Sequence, residues 1–153
     1  MLLRQRGRAT MIRSVLAILA GVATLTAISF GIEWVANPLL MKLFPASLPT
    51  QFALTHSLPV RLFGFAYGAL SIAAGGYVTG WIGRRAPILH AAVLGGVQSL
   101  LTVWAMLAMW NHSPAINWIV ALAMTFPACL LGGWLFARRA ARPMPSSAVS
   151  ACG

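Results

Sequence analysis

The sequence predicts an all-α integral membrane protein, a bundle of four transmembrane helices, on three observations. Its 153 residues are 59% hydrophobic and only 8% charged, whereas a soluble domain of this size carries about a quarter charged residues. The charged residues leave long uncharged runs between them. These runs lack the period-two alternation of a transmembrane barrel, and lipid offers no partners to an open backbone, so they should form helices.

The positions of the charges divide the chain into spans. Nineteen uncharged residues make up Ser14–Ile32, twenty-two make up Leu62–Gly83, and fifty-two make up Ala86–Ala137. A crossing needs about 20 predominantly apolar residues, so the third run should hold two helices, separated at the polar residues 111–114. The predicted spans are about 14–34, 62–83, 88–110 and 115–137.

Shorter segments flank and join the spans of this single transmembrane domain, residues 14–137. Residues 1–13 form a basic segment, and either Met1 or Met11 would be a sensible start for a membrane protein. Residues 35–60 contain four prolines, so we expect an outer loop with at most a short helix that starts at Asn37–Pro38. Residues 138–153 are basic at first and then rich in Pro, Ser and Ala, which predicts a disordered tail.

The basic residues predict the orientation. Nine of the eleven lie before the first span, between the second and third, or after the fourth, and only Lys42 and Arg61 lie on the other side. Cytoplasmic loops carry the excess of Lys and Arg in membrane proteins, so both termini should be cytoplasmic. Tryptophans at the span ends, such as Trp34, Trp110 and Trp118, fit the aromatic belts of the two interfaces.

The charge balance also excludes several classes of function. Glu33 is the only acid against eleven bases, and a lone carboxylate can neither perform paired acid–base catalysis nor supply enough oxygens for Ca²⁺ or Mg²⁺. Long apolar runs indicate that a lipid bilayer, rather than nucleic acid, is the partner of this basic chain. We therefore expect no cofactor, no bound metal, no nucleic-acid partner and no enzymatic activity.

Small residues recur every four positions in two of the helices, and small side chains let helices approach closely in lipid. The candidate packing residues are Gly64, Gly68, Gly76 and Gly80 in the second helix and Ala121, Thr125, Cys129 and Gly133 in the fourth. They predict a compact four-helix bundle. The alternative is that one stripe forms the interface of a homo-oligomer or binds another membrane protein.

Gln98 is the polar residue placed deepest in a span, near the midpoint of the third helix. Its amide needs hydrogen-bond partners that lipid does not supply. It should therefore bond to a neighbouring helix, where Thr125, Ser71 and Thr24 are available, or line a wet cavity.

Two ionisable residues lie nearer the span ends, and ionisable groups at membrane depth are candidates for function. Glu33 lies beside Trp34 at the end of the first span, where pairing with Arg61 or Lys42 is expected and a role in proton or cation handling is the alternative. His90 lies in the first turn of the third helix, without further metal ligands nearby in the sequence.

Three features of the chain are typical of one group of proteins. They are the basic start, the Ala/Gly-rich first helix and glycine pairs ahead of arginine pairs, such as Gly132–Gly133 before Arg138–Arg139. The chain resembles small, uncharacterised four-helix proteins of the bacterial inner membrane, which have no known function. Its preference for Arg over Lys, ten to one, suits a GC-rich bacterial genome. The resemblance implies a location in the bacterial inner membrane.

Two functional hypotheses follow from these features. The first is a non-enzymatic accessory or scaffold protein that acts through helix–helix contacts, because small-residue stripes are abundant and catalytic groups are missing. The alternative is a small transporter or channel component in which Gln98 and Thr125 line the path.

Overall fold

The computed structural model describes residues 2–44, 50, 56–110 and 114–142, with side chains described from residue 11 onward. This part of the chain forms four α-helices. They are α1 (Leu2–Leu43), α2 (Leu58–Ile82), α3 (Pro87–Ala108) and α4 (Ala115–Ala140). Each contains a segment long and apolar enough to cross a membrane. The predicted all-α bundle of four spans is therefore confirmed.

Helix α1 is longer than the sequence suggested. It begins within the basic segment 1–13 and continues past Trp34 to Leu43, with Pro38 inside the helix. Two predictions are therefore corrected: no new helix starts at Asn37, and residues 35–43 belong to α1 instead of to an outer loop. Proline in a helix interior leaves the carbonyl four residues earlier without its N–H partner. Continuation is favoured because Leu39 and Leu40 share an apolar groove with Val60 and Phe63 of α2.

The other helix ends agree with local sequence signals. Proline occurs in the first turn of both α2 and α3, where its missing N–H is harmless and its fixed φ suits the helix. A short turn at residues 83–86 joins these two helices. Helix α4 continues beyond the predicted residue 137 and includes Arg138 and Arg139 in its last turn. The predicted disordered tail from Pro143 lies outside the described residues.

The packing of the helices is uneven. Helix α2 makes its most extensive contacts with α4 and α1, and α4 packs as extensively on α3 as α1 does on α2. Helix α1 touches α3 only lightly. The buried apolar core is small, with Leu25, Leu94 and Cys129 at its centre, while large apolar side chains such as Trp34 and Trp104 are exposed over the outer surface. An apolar exterior of this kind is suited to lipid.

The two ends of the bundle differ in charge. The arginine end carries Arg13 of α1, the turn that contains Arg84 and Arg85, and Arg138 and Arg139 of α4. Arg13 donates from Nε to the carbonyl of Ile82 at 3.0 Å, which joins the early part of α1 to the end of α2. The opposite end is where α2 and α4 begin and α3 ends.

Candidate functional site

A cavity of about 440 Å³ lies among α2, α3 and α4, in the half of the bundle away from the arginine end. Its walls come from the first part of α2, the last part of α3 and the first part of α4, and α1 contributes no lining residue among those described. The walls are mostly apolar. They carry five side chains with polar atoms, namely Gln98, Thr102, Trp104, Trp118 and Thr125.

Gln98 and Thr125 approach this cavity from different helices. The structure therefore brings together the two polar residues that the transporter hypothesis placed on one path. The Thr125 hydroxyl donates to the Ala121 carbonyl at 2.7 Å, and the Thr102 hydroxyl donates to the Gln98 carbonyl at 2.9 Å. Each threonine oxygen has thus used its hydrogen within its own helix and retains lone pairs that can accept.

The hydroxyls predicted as partners of the Gln98 amide donate within their own helices. Ser71 donates to the Tyr67 carbonyl, and Thr24 donates to the Ala20 carbonyl, each four residues earlier in its own helix. The Gln98 side chain itself makes no hydrogen bond to another described residue. Of the two environments expected for this amide, the structure gives the cavity.

Trp118 adds a polar group that sequence reasoning assigned only to an interfacial belt. It lines the cavity, and its indole Nε1 is buried without a hydrogen-bond acceptor. Buried donors are rarely left unpaired in folded proteins, and each exception calls for an explanation. Because Nε1 itself is inaccessible, Trp118 lines the cavity with the rest of its ring. The signal in the sequence is Trp118 seven residues before Thr125, which places the two on one helix face.

The cavity exists because α2 and α4 touch at one level and separate at another. At the contact, a Cβ on Gly76 would collide with the backbone of Cys129, and a Cβ on Gly132 would collide with the backbone at Ala73. The two collisions are reciprocal, so the helix backbones are in direct contact there. Farther from the arginine end, a Cβ on Gly68 would meet no atom within 4 Å.

The predicted packing residues therefore divide into two groups. Gly76, Gly80 and Gly133 lie against neighbouring helices, and Cys129 is fully buried between them. Gly64 and Gly68 were predicted to pack in the same way, but they line the cavity, as does Ala121. The correction has a simple reason: the four-residue spacing places glycines on one face of α2, but it does not state how far away the next helix lies.

Glu33 has a different partner from those expected. Its Oε1 accepts a hydrogen bond of 2.7 Å from the Tyr67 hydroxyl, which joins α1 to α2. In the described part of the chain no ion pair joins Glu33 to Arg61 or Lys42, and Arg61 Nε is buried without an acceptor. The pairing with Tyr67 could not be anticipated, because the two residues are 34 positions apart and tyrosine carries no charge.

His90 joins α1 to the turn before α3. Its Nδ1 lies 2.8 Å from the Ala86 carbonyl and its Nε2 lies 3.0 Å from the Ser14 hydroxyl. A carbonyl only accepts, so Nδ1 carries a hydrogen. Gly83 packs directly on this ring, since a Cβ there would lie 2.7 Å from the imidazole Cγ. His90 thus links α1 to the turn at the arginine end of the bundle.

Among the described residues, no group of three or more His, Cys, Asp or Glu side chains could hold a metal ion. No family model, curated protein or solved structure matches the chain. The cavity and its polar groups are consequently the features from which a function can be inferred.

Proposed function

We propose that this protein is a non-enzymatic membrane protein that binds a small molecule inside the bundle, as a component of a transport system. The observation that carries the proposal is the cavity shared by Gln98 and Thr125. An amide in the middle of a membrane helix is costly when it lacks partners, and such residues mark substrate pathways. Ligand cavities in proteins have volumes of about 300 to 1,000 Å³, and a cavity of about 440 Å³ falls in this range.

The shape of the bundle supports a pathway that is open on one side. The cavity lies in the half away from the arginine end, and the contact of Gly76 with Cys129 closes α2 against α4 below it. A molecule bound there would pass toward the arginine end only if this contact opened. Alternating access of this type is how many transporters work.

Native mass spectrometry of the protein, released from its own membranes, tests the proposal. We expect a non-covalent small-molecule adduct on the wild-type protein and its loss from Gly68→Leu, whose side chain would occupy the cavity. Gly96→Leu is the matched control, because a Cβ at Gly96 also meets no atom within 4 Å but Gly96 does not line the cavity. An adduct retained in Gly68→Leu, or lost equally from both variants, would contradict the proposal.

A second candidate function is the accessory or scaffold role, with a homo-oligomer or another membrane protein as the partner. The observation in its favour is that Ala23, Ala27 and Gly31 follow one line of α1 and are exposed. Exposed small residues at this spacing favour close contact with another helix in lipid. Crosslinking in native membranes should trap one specific partner through α1, and recovery of monomer alone would oppose this role.

We further propose that the protein resides in the bacterial inner membrane with both termini in the cytoplasm. The support is the collection of arginines at one end of the bundle, as the positive-inside rule requires. A reporter active only outside the cytoplasm should work when fused near Pro49 or Ser113. Activity of the same reporter after Arg85 would reverse this orientation.

A further inference from the structure

We propose that the ligand of the cavity is an uncharged amphiphile, an alkyl chain with a hydroxyl group at one end, which reaches the site from the bilayer. This inference rests on the proposed binding function and specifies the class of molecule bound. It is carried by three features of the cavity: the charge of its walls, their hydrogen-bonding groups and their exposure to the lipid face.

The walls of the cavity exclude a charged ligand. All fourteen lining residues that the structure describes are uncharged, and nine of them are Gly, Ala, Ile, Leu, Met or Phe. A charged group transferred into such surroundings without a counter-charge loses far more solvation than the walls return. Carboxylates, phosphates, ammonium groups and metal ions are therefore unsuited to this site.

The polar groups of the walls favour a hydroxyl over other neutral groups. The amide nitrogen of Gln98, which lines the cavity, can only donate. The hydroxyl oxygens of Thr102 and Thr125 have already donated within their helices and can only accept. A ligand hydroxyl both accepts and donates, so it can serve both kinds of group, whereas a ketone would leave the acceptors unused and an alkane would serve neither.

The boundary of the cavity is continuous with the lipid-facing surface. Leu101 and Trp104 belong to the lining, yet 45% of Leu101 and 70% of Trp104 is exposed. Since both residues are on α3, a molecule dissolved among the acyl chains meets the cavity beside this helix. An amphiphile concentrated in the bilayer thus has direct access to the cavity through this face.

Photolabelling in reconstituted bilayers tests this class of ligand. The probes are three diazirine-bearing eight-carbon chains that differ only at one end: an alcohol, a carboxylate and a trimethylammonium. We expect the alcohol to label cavity-lining peptides of α3 and α4 about tenfold more than either charged probe, as one well-made hydrogen bond and the lack of a buried charge imply. Mapping of the labelled peptides by mass spectrometry measures the ratio.

Variants then connect the labelling to the cavity. Gly68→Leu should abolish cavity labelling by the alcohol, and Gly96→Leu should leave it unchanged. Gln98→Leu should reduce it several-fold without changing labelling of lipid-facing residues such as Leu100, which controls for partitioning into the bilayer. If a variant fails to fold, the ligand class is still tested, because the three probes are compared on the wild-type protein.

The outcomes separate the ligand class from the binding function. Equal labelling of the cavity by the alcohol and the carboxylate would overturn the ligand class. If the native adduct disappears in Gly68→Leu at the same time, the binding function stands. Cavity labelling that persists in Gly68→Leu, together with a native adduct that also persists, would overturn both.

Discussion

The two halves of this bundle are built from the same kinds of residue and packed in opposite ways. Near the arginine end, α2 and α4 meet backbone to backbone at Gly76 and Gly132. Toward the other end, Gly64 and Gly68 of the same helix face a cavity of about 440 Å³. Gly68 and Gly76 are eight residues apart, or about 12 Å along the helix axis. Glycine thus creates close contact at one level and empty space at the next.

The comparison teaches that a small residue has no fixed role in a membrane helix. Without a hydrophobic driving force between helices, association depends on how closely the backbones approach. Where a partner backbone fills the space left by the absent side chain, glycine stabilises the contact. Where no partner fills it, glycine leaves a space that a ligand can use. The contact level fixes the helices, and the cavity level gives room for binding.

The largest expected effect comes from alanine substitution at the two levels. Gly76→Ala should destabilise the bundle by about 3 kcal/mol, because the added methyl would collide with the Cys129 backbone and neither helix can move away cheaply. Gly68→Ala should be neutral or slightly stabilising, since its methyl meets no atom within 4 Å and alanine favours the helix. Thermal unfolding in detergent measures the difference.

The same pair of variants tests whether the two levels of the bundle differ in packing. Equal unfolding temperatures for Gly76→Ala and Gly68→Ala would show that the two levels are packed alike. Gly96→Ala on α3 is a suitable control, because Gly96 also has no neighbour within 4 Å and does not line the cavity. It should behave as Gly68→Ala does.

A smaller effect is expected where α1 joins the cavity half. Tyr67→Phe removes the hydroxyl that donates to Glu33 and should cost about 1.5 kcal/mol, as loss of a hydrogen bond to an acid does. Glu33→Gln retains an acceptor oxygen and should cost less. Chemical or thermal unfolding of both variants provides the measurement. A larger cost for Glu33→Gln would mean that the carboxylate has a partner more important than Tyr67.

The smallest expected effect is local and lies at the arginine end. His90→Leu retains an apolar side chain but removes the hydrogen bonds to Ala86 and Ser14, at a cost of about 1 kcal/mol. We expect faster hydrogen exchange at the turn of residues 83–86 and little change around the cavity. Exchange measured by mass spectrometry distinguishes the two regions. Faster exchange in the peptides that line the cavity would show that the two halves are coupled.

Much of the architecture could be predicted because charge placement in lipid is a local property. The uncharged runs predicted the number of helices and most of their ends, since each crossing has a required length. The prediction was wrong at residues 35–43, where Pro38 was read as the start of a new element. Proline locally disfavours a helix interior. Whether the helix continues depends on tertiary packing, here on the apolar groove that Leu39 and Leu40 share with α2.

The candidate site could be predicted only in part. Gln98 was identified because an amide in the middle of an apolar run stands out, and Thr125 because it lies on a small-residue stripe. Trp118 was assigned to the membrane interface, and Tyr67 was not identified at all. Tyr67 matters because Glu33 of another helix lies within hydrogen-bond reach, and Trp118 because α2 and α3 leave a cavity beside it; both depend on distances between helices.

By itself, the sequence determined the class of protein, the four helices and the concentration of arginines at one end, because hydropathy and charge act on each segment separately. The tertiary structure alone decided which glycines touch a neighbour, which polar groups share a cavity and which side chain bonds to Glu33. These depend on the distances between helices, which are set near Gly21 and Gly75 for α1 and α2, and at the backbone contact of Gly76 and Gly132 for α2 and α4. Everything farther along the helices follows from how they diverge from those contacts.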